Sequence, residues 1–264
     1  MDWDSAAHAA IRKVPFFVRS RVKKKVEAHV KDLGLTLVTL DHVNDLRKKF
    51  LSKGGMEKEL KGYDISTCFS GGGCPNVAHP ATDLLVDIEL LMARAKMFEF
   101  LKSRVKGDLK FHHEFRISIS DCPNACSRPQ IADIGIIGAC RPRVGEGCTL
   151  CMACVRSCPD KAIQLWEGDE RPIIDMEACK DCGQCIKVCP ARSLEKDKTG
   201  FKVLLGGRLG RNPRLGMPVP GILSHQETMA LVEKCLAYYK THSLNGERFS
   251  HLIESVDQVL SFDG

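Results

Sequence analysis

Two pairs of cysteines carry the first chemistry that the sequence suggests. Cys122 and Cys126 lie in the stretch C-P-N-A-C-S-R, directly after the alternating apolar run Phe115–Ser120. Such alternation is typical of a half-buried strand, so both thiols should lie on the turn at its end. Cys68 and Cys74 form the second pair, and the three glycines between them allow the backbone to approach a bulky group closely. Four thiolates suit one [4Fe–4S] cluster, whereas a four-cysteine zinc site and inert buried thiols are the alternatives.

Eight further cysteines repeat one spacing twice. The pattern C-x2-C-x2-C-x3-C-P begins at Cys148 and again at Cys179, a duplication with a period of 31 residues. In two-cluster bacterial ferredoxins with this pattern, the fourth cysteine of each run ligates the other cluster. Zinc explains the spacing poorly. A zinc site needs only four ligands and gives no reason for three closely spaced cysteines followed by a distant fourth. The sequence therefore predicts two more [4Fe–4S] clusters, one held by Cys148, Cys151, Cys154 and Cys189 and the other by Cys158, Cys179, Cys182 and Cys185.

The first two cysteine pairs and a later segment resemble the sirohaem and [4Fe–4S] signature of the sulfite and nitrite reductases. The resemblance is carried by the spacings C-x5-C and C-x3-C, by the context C-P-N-x-C-x-R, and by the glycine- and arginine-rich segment 203–214. It implies that one cluster and a neighbouring sirohaem are bound here, and that the Cys126 thiolate bridges to the sirohaem iron. The implied cluster ligands are Cys68, Cys74, Cys122 and Cys126, and the implied sirohaem contacts are Asn124, Cys126, Arg128, Arg208, Arg211 and Arg214.

The same resemblance implies a function. It indicates a sirohaem-dependent sulfite reductase that reduces sulfite to sulfide with six electrons, which enter from an external donor such as ferredoxin through the ferredoxin segment. A sirohaem nitrite reductase would use the same cofactors and is one alternative. An iron–sulfur electron-transfer or tetrapyrrole-binding protein without sirohaem turnover is the other, with the eight ferredoxin cysteines as its functional part.

Positive charge is concentrated where an anion could bind. The net charge is +6, and residues 12–25 contain seven basic side chains and no acid. Sirohaem carboxylates and sulfite would both need a basic cavity. Nucleic acid is not expected, because no recognised motif is present and aromatic residues are only 6%. The related full-length reductases supply their substrate cations largely from an extra half that this chain lacks. We therefore predict Arg19, Arg21, Lys23, Lys24 and Lys25 as catalytic cations, with a neighbouring subunit of a homo-oligomer or a merely solvated helix face as alternatives.

A second resemblance covers the N-terminal part. The segment 3–30 is similar to the small domain that ends one subunit of the light-independent protochlorophyllide reductase and helps to hold a tetrapyrrole. An ordinary helical hairpin is the alternative interpretation.

Composition limits the compartment and the class. The chain has 264 residues, 44% hydrophobic and 27% charged, which is typical of a globular protein. An acidic start without a signal peptide, and no apolar run near the roughly 18 residues of a membrane span, predict a cytoplasmic protein. Fourteen cysteines in such a chain should be metal ligands rather than disulfides. Cys140 and Cys235 belong to no set of four and are interpreted as structural.

The elements that position these residues give an α+β fold. Helices are predicted after Pro15 up to Gly34, over 43–51, over 82–105 as one core helix, over 224–241 with a Ser224–Glu227 capping box, and over 247–261. Strands are predicted over 115–120, 131–138 and 201–205. The predicted organisation is a helical N-terminal segment (1–62), a sirohaem-binding reductase domain in two parts (63–145 and 197–264), and an inserted 2[4Fe–4S] ferredoxin-like domain (146–196).

Overall fold

The computed structural model describes residues 1–12, 16–51, 60–68 and 73–263. It divides into two compact units, one of residues Met1–Leu60 with Asp108–Lys110, and one of residues Lys61–Gly107 with Phe111–Gly264. No helix in the described ranges is both long and apolar enough to cross a membrane.

The first unit is a small helical cluster with a short parallel strand pair. Its elements are β1 (Asp2–Trp3), α1 (Ser5–Arg12), α2 (Phe16–Asp32), β2 (Leu37–Val38) and α3 (Leu40–Leu51). The buried valines Val26 and Val30 confirm the helical spacing of the apolar residues in α2 and pack in one core with Ala7 of α1. The prediction that this part is wholly helical is wrong at β1 and β2, which pair in parallel. Strands of two residues are too short to show an alternating pattern.

The second unit begins with β3 (Tyr63–Thr67), α4 (Thr82–Arg94), α5 (Met97–Arg104) and β4 (Phe115–Ser120). The prediction of one continuous helix over 82–105 is wrong, because Lys96 adopts a left-handed conformation (φ 47°) between α4 and α5. The break allows the start of α5 to pack against Gly62, where a Cβ atom would lie only 2.5 Å from the backbone of Met97. The Lys240 ammonium donates to the Ala95 carbonyl at 2.5 Å and so satisfies a backbone group at the break.

The remaining elements, in chain order, complete the sheet and its surroundings. They are β5 (Ile134–Val144), α6 (Ala153–Ser157), β6 (Ile163–Gln164), β7 (Ile173–Ile174), α7 (Gln184–Lys187), β8 (Leu194–Leu205), β9 (Met217–Pro218), α8 (His225–His242), α9 (Phe249–Leu252) and α10 (Asp257–Leu260).

Within the described residues, five strands form one sheet in the order β3-β4-β5-β8-β9. The strands β3, β4 and β5 are parallel, whereas β8 is antiparallel to both β5 and β9. Because parallel strands end at the same edge, the loops after β3 and β4 meet there.

β5 and β8 form a long hairpin. Ile134 pairs with Leu205 at one end and Val144 with Leu194 at the other, so residues 145–193 lie beyond the hairpin's far end. Both strands are longer than predicted, because Arg141, Pro142 and Arg143 interrupt the apolar pattern of β5 and the outer residues of β8 are mostly polar. The predicted start of β5 is also wrong, since Pro129–Ile131 forms a 3-10 turn.

The C-terminal helices close one side of this unit. The capping box of α8 is confirmed, with Ser224 Oγ accepting from the Glu227 amide at 3.2 Å and the Glu227 carboxylate accepting from the Ser224 amide at 2.7 Å. The single helix predicted over 247–261 is wrong, because α9 and α10 are separate and Ile253 is extended. The Ile253 carbonyl accepts from Arg214 at 3.0 Å instead of from a following helical turn.

Candidate metal centres and cofactor face

The turn after β4 folds back over its own strand. Ser127 holds it there, because its hydroxyl donates to the Ile119 carbonyl at 2.8 Å and lies 2.7 Å from Ser120 Oγ. Ala125 takes a left-handed conformation (φ 52°), which tightens the turn. As a result Cys122 is buried and Cys126 is exposed.

The loop after β3 meets this turn. The Cys68 amide donates to the Ile119 carbonyl at 3.1 Å, and the Asp121 amide donates to Cys68 Sγ at 3.4 Å. The segment after Cys74 is fixed to the same turn, since the Ala78 amide donates to the Asp121 carbonyl at 2.8 Å. Residues 69–72, which include two of the three glycines between Cys68 and Cys74, lie outside the described residues.

Burial and the neighbouring thiols both affect the pKa of Cys122. Burial raises the pKa of Cys122, the Asn124 amide opposes this, and the thiols of Cys126, Cys74 and Cys68 raise the pKa further. The hydrogen bonds of Cys68, Asp121 and Ala78 hold together the two loops that carry these thiols. The structure thus brings together the two cysteine pairs that are far apart in sequence, whereas their role as cluster ligands stays a prediction.

The first pocket of the 145–193 segment is lined by Cys148, Cys151, Cys154 and Cys189. It has an empty volume of about 320 Å³, part of it open to solvent, and Leu165 and Pro172 complete its apolar wall. Burial is the main cause of the raised pKa of Cys154, and the thiols of Cys148 and Cys189 add to it.

The second pocket is lined by Cys158, Cys179, Cys182 and Cys185, with an empty volume of about 340 Å³. Burial raises the pKa of Cys185 to about 12, and the Cys182 and Cys179 thiols contribute. The structure therefore groups the eight thiols as the ferredoxin spacing predicts, with the fourth cysteine of each run in the other run's pocket.

The donor chemistry of these sites fits iron–sulfur clusters. Each offers four thiols, and a positive metal centre would lower the thiol pKa values that burial raises. Within the described residues, no group of three or more His, Cys, Asp and Glu side chains has the geometry of a single-ion site. The sulfurs of the two pockets line cavities, which suits a bulky cluster.

A face for a larger cofactor adjoins the Cys122–Cys126 turn. Asn124, Cys126 and Arg128 are exposed, whereas Ala125 is buried between them. The glycine- and arginine-rich loop packs beside the continuation of this turn, since the Gly216 amide donates to the Gln130 carbonyl at 2.7 Å. A Cβ on Gly207 would lie 2.4 Å from the same carbonyl, so only glycine permits this approach.

The three arginines of that loop differ in their surroundings. Arg208 donates to the Asn212 and Ser250 carbonyls at 2.9 and 2.5 Å. Arg214 donates to the carbonyls of Gly206, Ser250 and Ile253, so both guanidinium groups brace the loop and α9. Burial and the neighbouring Arg208 lower the pKa of Arg214. Arg211 is exposed.

The predicted catalytic cations all lie in the first unit. Arg19 Nη2 donates to the Arg12 carbonyl at 2.8 Å. Lys23 lies 4.0 Å from Glu27 and 5.5 Å from the centre of the Trp3 ring. Lys24 and Lys25 are exposed, and the side chain of Arg21 lies outside the described residues. Their role towards the substrate stays a prediction.

Several residues of the site have no signal in the sequence. Asp181, whose side chain is only 2% exposed, pairs with Arg141 at 3.2 Å and with Lys202 at 2.5 Å. Asp133 accepts from Arg248 at 2.9 Å and from the Ser250 amide at 3.2 Å. Both carboxylates join segments that are far apart in the chain, and spacing rules detect only local patterns.

The two cysteines outside the sets of four are both buried. Cys140 lies under the second pocket, where a Cβ on Gly183 would be 3.0 Å from its sulfur. Cys235 is fully buried in α8, and burial raises its pKa.

Comparisons with known proteins agree with this arrangement. The family model "Nitrite and sulphite reductase 4Fe-4S domain" matches residues 99–258, and the model "Proto-chlorophyllide reductase 57 kD subunit" matches residues 3–47. The chain is 35% identical over 209 residues to the coenzyme F420-dependent sulfite reductase of Methanocaldococcus jannaschii, covering 79% of this chain. It covers only 31% of that relative, so it spans about a third of its length.

Two further comparisons concern a short stretch of the chain and the fold. The short stretch of 54 residues, 20% of this chain and 10% of the relative, is 37% identical to one of the subunits of the light-independent protochlorophyllide reductase of Heliobacterium modesticaldum. A crystal structure of dissimilatory sulfite reductase I has a similar fold, with a TM-score of 0.52 at 15% identity over 75% of this chain and 51% of that one.

Proposed function

The chain belongs to the nitrite and sulphite reductase 4Fe-4S domain family, and on that premise we propose that it is a sirohaem-dependent sulfite reductase. The family is the one predicted from the cysteine motifs, and homology supports an oxidoreductase that contains an iron–sulfur cluster. The proposed reaction is the six-electron reduction of sulfite to sulfide. The 35% identical relative is a sulfite reductase by name, which favours sulfite over nitrite.

One observation supports this proposal above all others. The loops that carry the two cysteine pairs meet where the Asp121 amide donates to Cys68 Sγ, and the four thiols differ in exposure: Cys122 is buried, Cys68 and Cys74 are half-buried, and Cys126 is exposed. The most exposed sulfur of a cluster site is the one best placed to contact a second cofactor. This asymmetry fits a thiolate shared between a cluster and sirohaem.

The proposed cofactors are sirohaem and three [4Fe–4S] clusters. When bound, sirohaem would supply the iron that takes sulfite, and the clusters would supply single electrons. The residues Cys68, Cys74, Cys122 and Cys126 would hold the first cluster, and the eight cysteines around the two pockets would hold the others.

The chain's own side chains would bind and orient the macrocycle. Asn124 and Arg128 flank Cys126 on the same turn, and exposed Arg211 can pair with a carboxylate. Arg208 and Arg214 instead hold the backbone of the loop, so their contribution would be to its shape and local positive potential. Arg19, Arg21 and Lys23 to Lys25, or cations from a second copy, are the proposed groups that stabilise the substrate anion.

The proposed route of electrons is from an external donor such as ferredoxin through the inserted segment.

The location that we propose is the cytoplasm, because thiols that serve as cluster ligands suit a reducing compartment. The N-terminal unit matches a protochlorophyllide reductase subunit model, and we propose that it helps to hold a tetrapyrrole.

The proposal is tested by an absorption spectrum and a turnover assay. Protein produced in a sirohaem-making host and purified without oxygen should show sirohaem bands. With a reduced one-electron donor it should consume sulfite and release sulfide, and nitrite turnover measured in parallel decides between the two anions. Iron–sulfur absorption without sirohaem bands or turnover would favour an electron-transfer protein instead.

A further inference from the structure

A single lysine joins the segments that carry ligands of two different predicted clusters. Lys187, at the end of α7, donates from Nζ to the Pro75 carbonyl at 2.8 Å and to the Val77 carbonyl at 2.7 Å. Lys187 lies two residues from both Cys185 and Cys189, and Pro75 directly follows Cys74. The ammonium therefore connects the ferredoxin-like segment to the loop that presents Cys74.

A second side chain of α7 contacts the same segment after Cys74. Gln184, at the start of α7, lies with its side-chain nitrogen 3.4 Å from Asn76 Oδ1. Two polar side chains of α7 thus contact the segment Pro75–Asn76–Val77, Lys187 at backbone carbonyls and Gln184 at the Asn76 side chain, although 108 to 112 residues separate the partners.

The second pocket is held against the sheet from another side. Pro142 of β5 is one of its lining residues, and Gly183 packs on Cys140 of the same strand. The Cys140 amide donates to the Asp181 carbonyl at 2.6 Å, and Arg141 and Lys202 bind the Asp181 carboxylate. These contacts place the pocket of Cys158, Cys179, Cys182 and Cys185 beside the β5–β8 hairpin.

The first pocket has different surroundings. Its lining comes from the segment itself and from the start of β8, with Leu165 and Pro172 among the apolar residues. Leu150 and Met152, which flank Cys151, are 46% and 39% exposed. This pocket therefore faces outward while the second pocket faces the sheet.

We propose that Lys187 is a positioning residue that fixes the spacing between the second pocket and the Cys68–Cys74–Cys122–Cys126 site. This inference rests on the proposed function, because it gives the second pocket the place next to the sirohaem-side cluster. Two charge-assisted hydrogen bonds from one ammonium hold the backbone directly after Cys74 against α7.

The ammonium also has an electrostatic effect. Reduction adds negative charge to a cluster, and a fixed cation nearby stabilises the reduced form. Removing the cation should lower the reduction potential of the clusters on either side, and loss of the two hydrogen bonds should loosen their spacing.

The test uses the anaerobically purified full chain with Lys187→Met, which keeps most of the aliphatic stem and removes the charge. Lys187→Arg keeps a cationic donor, and Lys180→Met removes a charge next to Cys179 in the same segment. Iron and acid-labile sulfide content reports assembly. Electron paramagnetic resonance of the reduced protein reports spin–spin broadening between clusters, and a redox titration reports their potentials.

Lys187→Met should have the wild-type iron content and much less spin–spin broadening. It should also have a lower potential for at least one cluster and a several-fold slower reduction of the sirohaem-side cluster. Lys187→Arg should retain most of the broadening, and Lys180→Met all of it. Unchanged broadening and reduction rate in Lys187→Met would overturn the inference and leave the proposed function intact. If Lys187→Met lost iron, Lys187→Gln would be measured in the same way. A wild-type protein without the sirohaem-side cluster would overturn both proposals.

Discussion

The backbone amide of Asp121 donates to the sulfur of Cys68 at 3.4 Å, although 53 residues separate the two in the chain. The contact exists because β3 and β4 are parallel neighbours, so the loops that follow them meet at one edge of the sheet. It joins the two cysteine pairs of the candidate site and gives one of the sulfurs a backbone N–H. Such N–H groups near cluster sulfurs raise reduction potentials.

Replacing Cys126 should affect sirohaem binding directly, because its thiolate is the one proposed to bridge to sirohaem. Cys126→Ser removes the exposed thiolate that is proposed to bridge to sirohaem, so sirohaem absorption and sulfite turnover should both be lost or strongly reduced. The signals of the two clusters that we propose for residues 145–193 should remain in the electron paramagnetic resonance spectrum. The matched control is Cys235→Ala, which removes a fully buried thiol outside the candidate sites. Full sirohaem content and activity in Cys126→Ser would remove Cys126 from its assigned role.

The buried carboxylate of Asp181 should contribute to stability. Burial alone would raise the pKa of Asp181, but hydrogen bonds from Arg141 and Lys202 lower it below its ordinary value. Asp181→Asn leaves two partly exposed cations without their anion and should reduce the free energy of unfolding by about 2–3 kcal/mol. Glu195→Gln breaks the exposed Arg143–Glu195 pair of the same hairpin and should cost only about 0–1 kcal/mol. Urea unfolding followed by circular dichroism measures the free energy of unfolding of both variants. An equal decrease in the two would contradict a larger contribution from the buried carboxylate.

His79 should make the second unit sensitive to pH. Its ring packs edge-on against Phe201 at a centroid distance of 4.9 Å, and burial is the main cause of its lowered pKa. Asp121 opposes this shift, while Lys196 and His225 add to it. Because the folded pKa lies below the unfolded value of about 6.5, the contribution to stability is present above that pH. It is lost as the pH falls through the folded pKa.

The measurement is the urea midpoint at several pH values between about 8 and about 5, the range that brackets histidine titration. The decrease towards acid should be smaller in His79→Gln than in the wild-type protein. His112→Gln, at an exposed position of the same unit, is the control and should keep the wild-type slope. A slope that His79→Gln leaves unchanged would show that other groups cause the acid sensitivity.

The lysines of α2 should affect substrate binding if they supply the substrate cations. Replacing Lys23, Lys24 and Lys25 together by alanine should raise the KM for sulfite and leave sirohaem and iron content unchanged. Lys31→Ala removes another exposed lysine of the same helix and should have little effect. An unchanged KM in the triple variant would place the substrate cations elsewhere, for example in a second copy of the chain.

The parts of the fold that were predictable depend on local patterns. The strand Phe115–Ser120 was predictable from alternation, the Ser224 cap from its Glu227 partner, and the division of the eight cysteines between two pockets from their spacing. The break at Lys96 was not predictable, because it depends on the backbone of Gly62, and the apolar spacing continues across it. The separation of α9 from α10 depends on Arg214. The hydrogen bond from Lys187 to the Pro75 carbonyl joins residues 112 positions apart. Contacts of this range leave no periodic signal in a single sequence.

The central claim is that Cys68, Cys74, Cys122 and Cys126 hold a cluster beside sirohaem. Iron and acid-labile sulfide analysis of the anaerobically purified chain tests it most directly. The account predicts about thirteen iron atoms and about twelve sulfides per chain, from three cubane clusters and one sirohaem. About eight of each without sirohaem iron, or zinc in place of the missing iron, would contradict it.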